Sequence, residues 1–325
     1  MDTATRPRST QLRCVDCGVA LGAWEWDQDP VTCHTCGATF PVLDGVLIAL
    51  PTPAERLACV DGERTGPAAP FYDRSYGDGT YGRGDEEMQA HRASAEHWEA
   101  RAREVPGLVL EIGAGIGACQ GIGGEDYVGL DCSLAALLSN RVRLGIVGMA
   151  ERLPLADGSC RFVYSFATFE HVSDPQAAFA EVDRVLAPGG VGLLRPAWHC
   201  RPWRQNVLHH GPWCSLPLPE RIRKAGLTVA LSLAGKACGA LPFRLARRLS
   251  YLARRRPMPL AYRRLEPCYD QPTVADADAT SSLDCHEGIL YFESRGYEVL
   301  SHRGVVTKLL ARHDDVVTRK PPSRA

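Results

Sequence analysis

Two cysteine pairs stand near the start of the chain, Cys14-Val-Asp-Cys17-Gly18 and Cys33-His-Thr-Cys36-Gly37, with fifteen residues between them. Four thiolates at this spacing can surround Zn²⁺ tetrahedrally, and the glycine after each pair permits the tight turn that aims backbone amides at the sulfurs. A four-sulfur site is closed to substrate, so its expected role is structural. His34 is expected to be exposed. A second set of chemical residues lies between Leu108 and Ser133, where Glu111 precedes Gly113, Gly115 and Gly117, and Asp131 follows. Glycines tolerate positive φ and let a ligand approach the backbone, while a carboxylate at the carboxyl end of a strand can accept hydrogen bonds from both hydroxyls of a ribose. The pattern predicts an adenosine-containing cofactor. Gly113, Gly115 and Ala118 also satisfy the dinucleotide fingerprint, so the glycines alone leave a nicotinamide cofactor open.

These residues need a sheet to hold them. Leu108 to Ile112 and Tyr127 to Leu130 read as strands buried on both faces. Phe162 to Phe166 and Val191 to Leu194 read the same way. Between them Asp174 is an N-cap with Pro175 at N1, opening a helix that runs to Leu186 and ends before Pro188-Gly189-Gly190. A helix is expected over 85–104, with His91 and His97 on its surface. The ordered motifs are Ala150 to Leu155, Asp157-Gly158-Ser159, Glu170-His171-Val172 and Ala187 to Gly190. In this order, over roughly residues 105 to 198, the chain resembles the class I S-adenosylmethionine-dependent methyltransferases, especially the quinone-biosynthesis branch. The resemblance implies an α/β fold with a doubly wound, seven-stranded Rossmann-like sheet. It places Glu111, Gly113, Gly115 and Gly117 around the methionine part of S-adenosylmethionine, Asp131 on the ribose, and Met149, Ala150 and Glu151 beside the adenine, with Phe166 also in the pocket. Two positions depart from the family: Met149 stands where many relatives have Asp, and Arg161 where an Asp usually opens the fourth strand. A sulfonium cofactor brings its own electrophile, so the protein mainly positions the acceptor, and a hydroxyl acceptor benefits from a general base. His171 and Asp278 are the candidates, with Glu170 and His199 as alternatives.

The cysteine pairs and the strands flanking the Asp44-Gly45 turn resemble the small zinc-ribbon proteins that activate methyltransferases acting on tRNA and translation factors. The domain reading is therefore a zinc ribbon at 12–50, a Pro/Ala/Gly-rich linker at 51–70, and a methyltransferase domain at 71–313 with a cap inserted at 197–285. Polar tails are expected over 1–11 and 314–325. Residues 71–84, with Tyr72, Tyr76 and Tyr81, are expected either to cover the cofactor as a lid or to form a surface loop whose tyrosines pack on the core. Residues 297–301 and 307–311 are expected to be strands that complete the sheet.

The chain has 325 residues, is 45% hydrophobic and 23% charged, and carries a net charge of -1. No window suits a membrane span or a secretion signal, so thirteen cysteines read as metal ligands and free thiols of a cytoplasmic protein. Between Arg201 and Arg264, twelve Arg and two Lys face the single acid Glu220. Within this segment Leu241, Leu245, Leu249 and Leu252 share a helical face, expected to be buried with the arginines solvated. A basic amphipathic helix over 241–256 also suits an anionic acceptor, an RNA or peripheral contact with an anionic membrane. His199, Cys200, His209, His210 and Cys214 lack the paired spacing of a second metal site. The expected activity is methyl transfer to an oxygen of a small molecule or glycan precursor. An RNA methyltransferase and a catalytically inactive scaffold are the alternatives.

Overall fold

The computed structural model describes residues 10–24, 30–64, 68–79, 85–139, 142, 144–271, 274–312 and 314–323. The chain divides into two compact units: residues 1–168, 174–194 and 319–325 form one, and 169–173 with 195–318 form the other.

The first unit begins with two hairpins, β1 (Thr10–Arg13) with β2 (Ala20–Trp24) and β3 (Val31–Thr32) with β4 (Thr39–Phe40). Each is followed in the chain, or bridged, by one of the cysteine turns. A third hairpin, β5 (Val42–Leu43) and β6 (Val46–Ile48), turns on Asp44 and Gly45, whose φ values of 49° and 83° match the two left-handed positions of a type I′ turn. Three helices follow: α1 (Pro53–Val60), α2 (Ala68–Gly77) and α3 (Asp85–Glu99). The remaining elements are β7 (Leu108–Ile112), β8 (Tyr127–Asp131), α4 (Leu134–Ser139), β9 (Gly145–Val147), β10 (Cys160–Phe166), α5 (Pro175–Val185) and β11 (Leu186–Arg195).

In this unit the strand order is β5-β6-β9-β8-β7-β10-β11, so the sheet reverses its winding at β7. That is the doubly wound arrangement in which ligands bind beyond the carboxyl ends of the strands at the reversal. Every residue of β7 and β8 is buried, which explains their unbroken apolar pattern. The α5 helix starts as expected, with the Asp174 carboxylate accepting the Ala177 amide and Pro175 in the first turn.

Several expectations are corrected. The ribbon region is not separate from the sheet: β6 pairs in parallel with β9, Leu47 beside Ile146 and Ile48 beside Val147. The 51–70 segment is not a bare linker, because Thr52 and Glu55 form a reciprocal capping box that starts α1. Arg56 of that helix then grips Asp16 with two nitrogens, at 3.0 and 2.9 Å, and ties α1 to the first cysteine turn. The α3 helix ends at Glu99 rather than 104, and His91 on it is buried, whereas His97 is exposed. Tyr81 of the expected lid lies outside the described residues, as do residues 1–9 of the expected N-terminal tail; β1 already begins at Thr10.

The second unit contains α6 (Trp203–His210), α7 (Leu218–Leu231), α8 (Leu233–Arg254), β12 (Tyr262–Arg264), β13 (Ser281–Leu283), α9 (Cys285–Glu293), β14 (Glu298–Val299), α10 (Val305–Leu310) and most of β15 (Val316–Arg319). Residues 307–311, expected as a strand, lie largely in α10, and the strand that accompanies β14 is β15, inside the expected polar tail. Val316, Val317 and Thr318 are buried there.

The α8 helix is inverted relative to its leucine pattern. Leu249 and Leu252 are 64% and 65% exposed, while Arg244 and Arg248 are buried. The reason is charge pairing with acids that lie beyond the basic segment: Arg244 pairs with Asp284 at 2.8 Å, Arg247 with Glu287 at 2.8 Å and Arg248 with Glu293 at 2.9 Å. A buried arginine with a matched carboxylate is tolerated where an unpaired one is not. Among the described residues no helix is long and apolar enough to cross a membrane.

Arg161, the second departure from the family pattern, sits at the amino end of β10, the end of the sheet away from ligand-binding loops. It pairs with Glu99 at 3.1 Å and Asp126 at 2.7 Å, and donates to the Gly107 carbonyl. Glu99 is only 2% exposed in its side chain and also pairs with Arg103 at 2.8 Å, so deleting Arg161 removes one of its two guanidinium partners. Arg161→Ala is expected to cost about 1.5 to 3 kcal/mol as its charge-assisted hydrogen bonds are lost, read as a lowered midpoint of denaturant unfolding. An unchanged midpoint would show that the pair contributes nothing.

Candidate functional site

The loop after β7 takes positive φ at each of its three glycines, 80° at Gly113, 50° at Gly115 and 71° at Gly117. A Cβ at Gly113 would fall 1.9 Å from Thr168 Oγ1, and one at Gly115 would fall 2.9 Å from Tyr76 Oη. Close approach by the protein's own side chains therefore already demands glycine at these positions. Residues 115–123 form turns, not a helix. This matters for ligand choice, because the dinucleotide fingerprint works by presenting a helix amino terminus to a pyrophosphate. The glycine loop here has no such helix directly behind it.

Asp131 closes β8 and is buried. Its Oδ2 accepts the Gly115 amide at 2.8 Å and its Oδ1 accepts the Ser133 amide at 2.8 Å. The carboxylate is thereby held facing the loop at the carboxyl end of the strand. Burial raises its pKa, opposed by the amides of Ser133 and Gly115. The Gly148 amide donates to the Asp131 carbonyl at 2.9 Å, which brings Met149 and the buried Ala150 next to the end of β8. Met149 is half-buried, and the Glu151 carboxylate accepts the Asp174 amide at 3.3 Å. Phe166 ends β10 and stacks on His91, with ring centroids 4.3 Å apart and an interplanar angle of 7°. The loop, Asp131, Met149, Ala150 and Phe166 thus all lie at the carboxyl ends of neighbouring strands.

Two contributors were not legible in the sequence. Ser133 Oγ donates to Asp73 of α2 at 2.6 Å, so the segment expected as a lid is anchored beside Asp131, with Tyr76 over Gly115. His91, Ala95 and Glu99 form one buried stripe on α3. A stripe with two polar members of three carries little apolar signal, and its spacing of four residues is the only clue.

Glu111, next to the glycine loop, has a hydrogen-bond partner within the sheet. It is buried and accepts the Tyr127 hydroxyl at 2.6 Å. Burial pushes its pKa up to about 7, despite the hydrogen bond from Tyr127.

The four cysteine sulfurs converge, all within 4.8 Å of one another, with Cys14 to Cys36 and Cys17 to Cys33 both at 3.7 Å. A Zn–S bond of about 2.3 Å places tetrahedral sulfurs about 3.8 Å apart, so the spacing suits that ion. The two turns are alike. Cys14 N donates to Val19 O and Gly18 N to Cys14 O; Cys33 N donates to Ala38 O and Gly37 N to Cys33 O, each at 2.8 Å. The Cys36 amide beside Cys33 brings its thiol down to about 6, while burial pushes Cys14 up to about 12. His34 is exposed, as expected.

In the second unit the two candidate catalytic residues meet: His171 Nδ1 lies 3.2 Å from Asp278 Oδ2. Glu170 Oε1 stands 3.6 Å from His171 Nε2 on the other side of the ring. Burial opposes protonation of His171, but the carboxylates of Glu170 and Asp278 outweigh it and raise its pKa. Burial likewise raises Glu170.

The raised Glu111 gives a pH signature. In the native state it holds its proton up to about 7 and in the unfolded chain only to the ordinary 4.5, so its contribution to stability is lost as pH rises through this window. Glu111→Gln keeps a partner for Tyr127 without the titration. Relative to the parent it is expected to gain roughly 3 kcal/mol between pH 5 and pH 8.5, read from denaturant midpoints. A difference that does not change with pH would contradict the assignment.

Residues 110–194 match the family model described as a methyltransferase domain. Malonyl-acyl-carrier-protein O-methyltransferase of Marinomonas sp. (strain MWYL1) is 35% identical over 95 residues, covering 26% of this chain and 35% of that protein. An uncharacterized methyltransferase of Mycobacterium sp. (strain JLS) is 33% identical over 112 residues, covering 31% of this chain and 43% of that one. The chain thus spans less than half the length of the curated relatives it matches. The crystal structure of an S-adenosylmethionine-dependent methyltransferase from Thermotoga maritima aligns over 77% of this chain and 92% of that one, with 17% identity and a TM-score of 0.36. The central segment, from the strand before the glycine loop to the end of β11, is similar in sequence to the methyltransferase-domain family.

Proposed function

We propose that the protein transfers a methyl group from S-adenosylmethionine to an oxygen of a small molecule or glycan precursor. The observation that carries this reading is Asp131, fixed by the Gly115 and Ser133 amides at the carboxyl end of β8 and facing a glycine loop that turns without opening a helix. A ribose diol suits that carboxylate, and the missing helix amino terminus disfavours a pyrophosphate. Gly113, Gly115 and Gly117 would border the methionine part of the cofactor. Met149 and Ala150 would border the adenine, where a thioether packs on a ring but accepts no strong hydrogen bond from its amino group.

The cofactor supplies an electrophilic methyl group on a sulfonium. The protein's share is to orient the acceptor and take its proton. His171 is our candidate for the latter, with Asp278 Oδ2 3.2 Å from its Nδ1 and Glu170 Oε1 3.6 Å from its Nε2, carboxylates that stabilise the imidazolium formed when it takes a proton. An oxygen acceptor agrees with the name of the Marinomonas relative, which is an O-methyltransferase. The arginines that suggested RNA or an anionic surface are partly committed elsewhere, since Arg244, Arg247 and Arg248 pair with carboxylates of the same unit.

We further infer that Cys14, Cys17, Cys33 and Cys36 hold one structural Zn²⁺. Since β1 is bridged to Leu155 and β6 belongs to the main sheet, losing the ion is expected to weaken the whole first unit. Elemental analysis should find one zinc fewer per chain in Cys33→Ser than in the parent, with a lower melting temperature in the variant. Zinc-free parent protein of unchanged stability would refute the site.

For the cofactor, Asp131→Ala is expected to weaken S-adenosylmethionine binding by about 1.5 to 3 kcal/mol, as charge-assisted ribose hydrogen bonds are lost. Calorimetric titration of a folded variant that binds as tightly as the parent would remove Asp131 from the site.

A further inference from the structure

The turn carrying Glu170 and His171 is pinned to β13 and the residues before it. The Thr280 amide donates to the Glu170 carbonyl at 2.8 Å, and Thr280 Oγ1 donates to the Val172 carbonyl at 2.7 Å. These bonds set Glu170 and His171 against Asp276 and Asp278, all within the second unit. Glu170 is fully buried. Its Oε1 accepts the Ala197 amide at 3.0 Å, but Oε2 receives no hydrogen bond among the described residues. Leaving a carboxylate oxygen buried and unmet is costly, and such an atom calls for a ligand.

We propose that Glu170, His171 and Asp276 form a binding site for a divalent cation, with Asp278 as the positioning residue behind His171. Donor atoms of the three ligands all lie within 4.8 Å of one another. Asp278 Oδ2 lies 3.2 Å from His171 Nδ1 while Nε2 faces Glu170, the carboxylate–histidine–metal order in which proteins orient imidazole ligands. With metal–ligand bonds of about 2.1 Å, neighbouring donors stand about 3.0 to 3.4 Å apart. Glu170 and His171 at 3.6 Å are already near that spacing. One imidazole and two carboxylates make a mixed nitrogen and oxygen set suited to Mn²⁺ or Zn²⁺, and chemically distinct from the thiolate cluster of the first unit. Three protein ligands would leave positions open, where a bound ion would polarise an acceptor hydroxyl in place of proton removal by His171. The site rests on the geometry of the second unit and stands whether or not the acceptor is a methyl acceptor.

The test is a Mn²⁺ titration of the full chain, with the thiolate cluster loaded with zinc, followed by electron paramagnetic resonance and without S-adenosylmethionine. One saturable Mn²⁺ per chain is expected. Glu170→Gln and Asp276→Asn should each weaken it at least tenfold, and Asp278→Asn by roughly 10- to 100-fold through loss of ring orientation. Cys33→Ser should leave Mn²⁺ affinity unchanged. Circular dichroism confirms folding of each variant; Asp276→Asn, on a half-buried turn, serves if Glu170→Gln does not fold. Absence of saturable Mn²⁺ or second-site Zn²⁺ binding in the parent would overturn the proposal. So would equal affinity in the parent and the folded Asp276 and Asp278 variants.

Discussion

The first unit depends on one carboxylate. Asp131 accepts the amide of the glycine loop on one oxygen and the amide leading into α4 on the other. Through Ser133, which donates to Asp73, the same corner also holds α2. A strand end, a loop, a helix start and a covering helix are fixed by hydrogen bonds that converge within three residues. A buried carboxylate would be unfavourable without those donors, and a glycine loop without an anchor would lose the shape its positive φ angles give it. The same arrangement that stabilises the corner presents an acceptor where a ribose would lie.

The second unit solves a different problem, the burial of like charges. The acids described above fall into two sets, one pairing with arginines of α8 and the other clustering around His171. In the first set each carboxylate has a guanidinium partner, and the helix is turned so that arginines face inward and leucines outward. In the second set Glu170, Asp276 and Asp278 share one imidazole, and an oxygen of Glu170 is left over. The contrast separates a structural use of buried charge from a site with capacity to bind.

Much of the sheet was legible because unbroken apolar runs such as Leu108 to Ile112 have few alternatives to a doubly buried strand. The cysteine turns were legible for a covalent reason, the ligand spacing of a tetrahedral ion, and the α5 start because Asp174-Pro175 is a capping signal. The α8 helix was read in the wrong orientation, because leucines at spacings of four, four and three describe a face without saying which way it points. Only acids forty or so residues away decide that, and a local pattern does not contain them. The Thr52 to Glu55 capping box was present in the sequence but hidden in a Pro/Ala/Gly-rich stretch that suggested a linker. The meeting of His171 with Asp278 depends on a pairing across more than a hundred residues, so each was visible as a candidate and their partnership was not.

The central claim is that the corner built on Asp131 accepts an adenosyl sulfonium and not a dinucleotide. Calorimetric titration of the unmodified chain with S-adenosylmethionine, S-adenosylhomocysteine and NADH in parallel tests it directly. The account predicts saturable one-to-one binding of the first two and no binding of the third. Saturable NADH binding, or no heat with either sulfur-containing ligand, would contradict it.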